Sequence, residues 1–318
     1  MNCVRVVAPA HLHAGNFDLN GGLGRLYGTV GFTIDYPKLV IDVEKAVGVE
    51  ASNTLAERFA RAVAQSFSVT GFRVVVRESF PEYVGLGYVT TLGIAIGLGV
   101  SELFGLGLSA EDVALAIRRG LVTALGVYAC KVGGFIVEGG FRKGSAEKHV
   151  PPLVFRGEIP SDWLFVVAVP EAPRKRIVEL RMSREDRILQ EVYMSSEEAS
   201  YLSRLVLVKM MPSFVERDIA GFGEALTEFN KRLGLVWQRY QGGVYCDPVV
   251  EKGIEIALRY AYGACQSSWG PTFYALLDSE ERAVKLAEEL RQLLGSHGGG
   301  EVFITRGRNR GVEVTECG

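Results

Sequence analysis

Nothing in this chain is long and apolar enough to span a bilayer comfortably. The most hydrophobic stretch, Leu92 to Leu108, is broken by five glycines and by Glu102, so it reads as a buried helix. Met1 leads straight into a short strand without an apolar signal region. Charge of one sign is also missing. With 35 basic and 37 acidic residues the formal net charge is −2, which predicts neither nucleic acid nor a membrane surface as a partner. Cysteine is scarce and scattered: Cys3, Cys130, Cys246, Cys265 and Cys317 form no CxxC pair and no metal-ligand spacing. Such a set suits a cytoplasmic protein with free thiols. Arginine outnumbers lysine and Asn and Gln are few, which are signs of a thermophile, and in a thermophile an internal disulfide stays open. No repeat of 20–50 residues and no low-complexity tract is present.

What remains is a chain of 318 residues, 48% hydrophobic, enough for one large or two medium domains with a sizeable core. Its organising stretch runs from Pro9 to Asp35. Strand-like ends, Val4 to Ala8 and Thr29 to Ile34, enclose His13, Asp18, Asn20, Arg25 and a glycine-rich turn containing Gly21, Gly22 and Gly24. Glycine at that density lets backbone approach a ligand closely. A wide hairpin turn with solvated charges is the plainer alternative.

Further on, Lys38 to Glu44 alternates as a strand, Thr54 to Phe67 as an amphipathic helix, and Phe72 to Arg77 as another strand. Gly85-Leu86-Gly87 then precedes an apolar helix. That order aims backbone N–H groups and a helix N-terminus at an anion, with Thr90 and Thr91 offering hydroxyls. It is not a Walker loop, since no GK[ST] follows, and the third glycine of a dinucleotide fingerprint is absent. Ser109 opens a helix carrying Val113, Ile117 and Leu121, with Arg118 and Arg119 at its far end. Val132 to Gly140 is a strand fenced by glycine pairs, in which Glu138 reads as structural.

Pro151 and Pro152, in a polar run from 142 to 161, mark a domain boundary, giving domains 1–155 and 156–318. The second begins with strand Leu164 to Val169, followed by helices over 184–211, 219–233 and 249–262. A third glycine- and serine-rich loop, GACQSSWGPT, leads into strand Phe273–Leu277, helix Glu280–Leu294 and strand Val302–Thr305. A hairpin at Gly307–Gly311 returns the chain for a short last strand. The order implies an α+β sandwich with helices on one face of an antiparallel sheet.

Together these loops resemble the GHMP superfamily. Within it, LHxG…DLNG…GR (Leu12–Gly15, Asp18–Arg25), GGFIV[DE]GG (Gly133–Gly140), QSSWGPT (Gln266–Thr272) and GGEVFxTRxxNRG (Gly299–Gly311) are similar to the β-ribofuranosylaminobenzene 5′-phosphate synthases of methanopterin biosynthesis. The resemblance implies an α+β, GHMP-kinase-like fold of two domains. Its N-terminal half would be ribosomal protein S5 domain 2-like and its C-terminal half ferredoxin-like.

The resemblance also implies a decarboxylating phosphoribosyl transfer from phosphoribosyl pyrophosphate to 4-aminobenzoate or a related aromatic acid, with Mg²⁺ as cofactor. Catalysis would fall to His13, Asp18 and Arg25: Arg25 as a bidentate fork for the benzoate, Asp18 facing the sugar cation or holding Mg²⁺, His13 shuttling a proton or binding phosphate. Each has a plainer alternative: a surface ion pair, an Asx turn, a hydrogen-bonded core histidine. Gly85, Gly87, Thr90 and Thr91 would cradle phosphates. Asn20, Gly24, Ser267, Ser268, Gly270 and Thr272 would bind substrate, and Trp269 would pack or stack. The assignment requires Arg25 to share a cleft with the Gly85–Gly87 turn. Relatives of this type also imply a homodimer, which no sequence stripe marks.

Three departures stand out. The superfamily phosphate loop has small residues where this chain has Tyr88 and Val89, which are expected to crowd a phosphate donor. Thr123-Ala124-Leu125-Gly126 replaces the approach to the GGFIV strand, and Cys130 and Lys131 stand in place of Phe and Glu. An ATP-dependent kinase of the same fold and a member without catalysis remain the alternatives.

Overall fold

The structure, a computed structural model, describes residues 1–145 and 149–318; residues 146–148 of the polar run lie outside it. The chain opens with two long antiparallel strands, β1 (Cys3–Asp18) and β2 (Arg25–Lys45). Val4, Val6, Ala8, Ala10, Leu12 and Ala14 of β1 are all buried, the period-two face that a half-covered sheet needs. Then come β3 (Val49–Ala51), α1 (Thr54–Phe67), β4 (Phe72–Glu78), α2 (Tyr88–Phe104), α3 (Ala110–Ile117) and α4 (Leu125–Lys131). The first half closes with β5 (Phe135–Glu138), β6 (Phe141–Arg142) and β7 (Leu153–Gly157). β2 sits at the centre, pairing β1, β4, β5 and β6. α2 is apolar all round and buried. Gly97 and Gly99 let it approach Val113 and the sheet residues Val6 and Val43, where a Cβ would collide.

The second half contains β8 (Leu164–Pro170), α5 (Arg174–Glu191), α6 (Ser196–Leu205), a π-helical turn Val206–Met210, α7 (Met211–Val215), α8 (Ile219–Gln241) and α9 (Pro248–Ala257). It ends with β9 (Gly263–Gln266), β10 (Phe273–Leu277), α10 (Glu280–Gly295), β11 (Gly300–Arg306) and β12 (Glu313–Glu316). Its antiparallel sheet runs β11-β8-β10-β9, the strand order of a split βαβ unit, so the expected ferredoxin-like half is present. α9 and α10 cover one face. The other meets the first half in a shared aromatic core, where Phe32 lies 5.3 Å from Phe165 and 5.9 Å from Phe222.

Several expectations need correction. The boundary at 155/156 falls inside β7, which pairs β5 in the first sheet. The last strand does not pair with its predecessor: β12 crosses back to β1, matching Val4 with Glu316. That return brings Cys3 and Cys317 together as a disulfide, leaving Cys130, Cys246 and Cys265 free and buried. The single helix expected over 184–211 is three helical pieces that start ten residues earlier, at Arg174. α3 stops at Ile117, because Arg118 takes the left-handed conformation at φ 56° and caps it. Among the described residues no helix is long and apolar enough to cross a membrane.

Candidate active site

Strand β1, the Gly85–Gly87 turn and the Gln266–Thr272 loop meet at one side chain, while the glycine-rich turn at Gly21–Gly24 lies elsewhere. Ser267, fully buried, accepts a hydrogen bond from His13 N at 2.9 Å and donates to Gly85 O at 2.6 Å. Ser268 N in turn donates to His13 O at 3.2 Å, and His11 N to Leu86 O at 3.2 Å. The glycines are required here. Gly85 and Gly87 have φ of 95° and 82°; a Cβ on the first would strike Ser267 O, and one on the second would fall inside the His11 ring. Gly15, beside a bulge between His13 and Gly15, admits Leu233 and Phe229 of α8. From α8, Asn230 donates to Ala14 O and Gln266 O and accepts from Gln266 N, all at 2.8–2.9 Å.

Above this junction lies a cleft of about 280 Å³. One wall is the start of α2, whose first turn has no side-chain cap, so its N–H groups and the positive end of the helix face the cavity. Beside it runs the Arg118–Thr123 segment released by the early end of α3. Arg119 Nε and Nη2 both lie 3.4 Å from Thr90 Oγ1. Arg181 reaches in from α5, its guanidinium 5.5 Å from the centre of the Tyr83 ring. Burial and, next, Arg181 lower the Arg119 pKa. The cleft thus concentrates positive charge from Arg118, Arg119 and Arg181, against carboxylates at Glu185 and Asp186. Glu185 is engaged twice, accepting from Trp269 Nε1 at 2.9 Å and pairing with Arg181 Nε at 3.5 Å.

The rest of the lining is apolar and aromatic: Tyr27, Leu233, Trp237 and Trp269, with the two tryptophan rings 4.9 Å apart. Of six non-glycine residues with positive φ among those described, Tyr27, Tyr83, Arg118 and Ser268 line this cleft. Strained backbone of this kind gathers where surrounding structure enforces a site. His11 is buried and His13 half-buried, and desolvation lowers their pKa values to about 3 and about 4. Both are neutral near pH 7.

Of the residues singled out from sequence, His13, Gly85, Gly87, Thr90 and Ser268 line the cleft. Ser267, Gly270, Thr91 and Thr272 do not. Ser267 is the latch just described, and Gly270 packs where a Cβ would meet Cys246 Sγ. Thr91 is buried with Oγ1 3.3 Å from Pro9 O. Thr272 N donates to Val84 O at 3.1 Å. Asp18, Asn20, Gly24 and Arg25 sit at the far tip of the β1–β2 hairpin. Asp18 Oδ1 accepts from Asn20 N and Gly21 N at 2.8 Å, an Asx turn. Asn20 Nδ2 donates to Met194 O at 2.9 Å. Gly24, at φ 87°, closes the turn by donating to Gly21 O.

Arg25 Nη1 donates to Gly140 O at 2.8 Å, so the expected benzoate clamp is spent on backbone outside the cleft that Gly85 and Gly87 line; the requirement placed on Arg25 is not met, and any enzyme assignment must rest on other residues. Tyr88 and Val89, expected to crowd the phosphates, both line the cleft, with the Tyr88 ring packed edge-on against Phe80 at 5.3 Å. The cations that do line the cleft went unassigned, although Arg118-Arg119-Gly120 after an apolar helix was visible. Arg181 and Trp237 carry no local sequence signal.

The fold and the glycine turn at the head of α2 define a GHMP-type protein. A solved homoserine kinase from Cytophaga hutchinsonii superposes with a TM-score of 0.71 at 14% identity, covering 99% of this chain and 98% of that one. The GHMP kinases C-terminal family matches residues 210–296. Curated relatives are nearer in sequence. The β-ribofuranosylphenol 5′-phosphate synthase of Methanothermobacter thermautotrophicus is 32% identical, with 96% of each chain covered. Its counterpart from Archaeoglobus fulgidus is 30% identical over 98% of this chain and 99% of that one. The chain belongs to the family of β-ribofuranosylphenol 5′-phosphate synthases.

Proposed function

We propose that this cleft transfers a 5-phosphoribosyl group from phosphoribosyl pyrophosphate to a para-substituted benzoate. 4-Hydroxybenzoate comes first, because the relatives' names describe a ribosylated phenol; 4-aminobenzoate is the alternative acceptor. The carrying observation is that cations (Arg118, Arg119, Arg181), the start of α2 and aromatic rings (Tyr27, Trp237, Trp269) line one cavity.

The chemistry suits that lining. The ring carbon bearing the carboxylate attacks C1 of the sugar, and the C1–O bond breaks with its electrons leaving on pyrophosphate. The bond to the carboxylate then breaks, its electrons restore the aromatic ring, and CO₂ departs. No proton changes hands, so neutral His13 serves as a hydrogen-bonding group rather than a base. Arg118, Arg119 and the uncapped N–H groups of α2 stabilise the charge that develops on pyrophosphate. The aromatic side chains exclude water from the sugar cation and seat the ring. Among the described residues no three His, Cys, Asp or Glu side chains gather as a metal cage. Mg²⁺ would be carried on the pyrophosphate, with the Asp186 carboxylate as the cleft group able to hold it, and would neutralise leaving-group charge.

The test is an assay with phosphoribosyl pyrophosphate, Mg²⁺ and carboxyl-labelled 4-hydroxybenzoate or 4-aminobenzoate. Matched release of pyrophosphate and labelled CO₂ supports the proposal. ADP formation from ATP with small alcohols would mark a kinase instead, and binding of the donor without any turnover a member that has lost catalysis.

A further inference from the structure

Among the motif residues outside this chemistry is Glu138, and the sheet register shows where it acts. Asn16 of β1 pairs directly with Thr29 of β2, and Thr29 pairs directly with Glu138 of β5. Residues opposite one another across adjacent strands share a face, so the three side chains form one polar row through the sheet. Glu138 and Thr29 are fully buried. Asn16 lines the cleft. Its Nδ2 donates to Thr29 Oγ1 at 3.1 Å. Glu138 Oε2 accepts from Gly140 N at 2.7 Å, while Oε1 is buried with no partner of its own.

Proton bookkeeping along the row has few solutions. An ionised carboxylate only accepts. Thr29 has one proton, and its oxygen already accepts from Asn16, so that proton is the donor available to Glu138. Asn16 must then give its N–H₂ to Thr29 and turn its carbonyl oxygen away. We propose that Glu138 is a positioning residue: acting through Thr29, it presents Asn16 Oδ1 to the cleft as the acceptor for a substrate hydroxyl.

The charged neighbours agree with that arrangement. Burial raises the Glu138 pKa most, while the Thr29 hydroxyl, the N–H groups of Gly140 and Ala124 and, last, Arg25 from β2 favour the carboxylate form. α4 contributes the neutral phenol of Tyr128, and β7 the apolar Leu153. Burial opposes them and outweighs them, leaving the pKa at about 7. Below that value a protonated Glu138 donates to Thr29, whose own proton then turns to Asn16 and flips the amide.

The identity of the hydroxyl rests on the phosphoribosyl-transfer proposal, but the row itself is read without substrate. In ligand-free protein, the Asn16 side-chain amide resonances are followed across neutral pH. A titration with a midpoint near 7 that disappears in Thr29→Val is expected; a silent amide beside a titrating Glu138 carboxyl, or a titration that persists in Thr29→Val, overturns the inference. In turnover, Glu138→Gln is expected to raise one substrate's KM about tenfold, one hydrogen bond's worth, and to flatten its pH dependence. A rise for phosphoribosyl pyrophosphate assigns the hydroxyl to the sugar, and a rise for 4-hydroxybenzoate assigns it to the phenol. An unchanged pH profile in Glu138→Gln again overturns it. Should wild type turn nothing over, the transfer proposal fails and the resonance titration still decides the role of Glu138.

Discussion

The hydroxyl of Ser267 donates to the carbonyl of Gly85 at 2.6 Å, across 182 residues of sequence. One buried oxygen thereby ties the second half of the fold to the turn that heads α2. It also accepts from His13 N, so the opening strand is held at the same point. Ser267→Ala leaves both backbone groups short of a partner. A loss of about 1–3 kcal/mol in urea unfolding is expected, with weaker phosphoribosyl pyrophosphate binding by titration calorimetry.

Arg119 and Arg25 separate the cleft from the hairpin tip. Arg119→Gln is expected to weaken binding of phosphoribosyl pyrophosphate by about 1.5–3 kcal/mol, the scale of a charged hydrogen bond. Arg25→Gln removes bonds to backbone carbonyls and is expected to lower thermal stability while changing donor affinity far less. Calorimetry on both variants checks this. Equal losses of affinity would return Arg25 to the site.

How much of this was legible in sequence follows from what each signal depends on. The helix Thr54–Phe67 appears with the expected bounds, because its apolar spacing and its Asn53 cap are local. The meeting of His13, the Gly85–Gly87 turn and Ser267 was implied by the family resemblance, because no local pattern encodes which loops become neighbours. The Arg118–Arg119 pair was misplaced because Val113, Ile117 and Leu121 continue a helical spacing, whereas the backbone leaves it at Arg118 to put both cations in the cleft. Arg181, Trp237 and the Cys3–Cys317 bridge depend on which distant segments become neighbours, and no local pattern encodes that. Arg25 looked catalytic because a glycine-rich loop with charge is the same motif whether it binds ligand or backbone.

Stability should depend on pH through His11 and His13. Their folded pKa values, about 3 and about 4, lie below the unfolded value of about 6.5. The unfolded chain therefore takes up protons first on acidification. Each histidine's contribution is intact above about pH 6.5 and is lost as pH falls toward its folded pKa, at about 1.4 kcal/mol per pH unit. Glu138 runs oppositely: raised to about 7, it stabilises at low pH and loses that contribution as pH rises through 7. Unfolding free energies from pH 4 to 8 should show a shallower acid limb in His13→Gln. A slope unchanged by that substitution would mean that His13 is solvated.

Cys3 and Cys317 clasp β1 to the returning β12. Reduction, or Cys3→Ser, is expected to cost about 2–4 kcal/mol, read as a lower denaturation midpoint. Activity at ambient temperature should persist, since the bridge is remote from the cleft residues. No change in midpoint would show that the strand pairing alone holds the termini.

The central claim is that one cavity combines cations for pyrophosphate with aromatic rings for a benzoate. Its most direct measurement is the stoichiometry of labelled CO₂ to pyrophosphate in wild type and in Arg119→Gln. The account predicts one CO₂ per pyrophosphate in wild type, with the rate falling about 10- to 100-fold in the variant. Pyrophosphate release without CO₂, or a variant as fast as wild type, would contradict it.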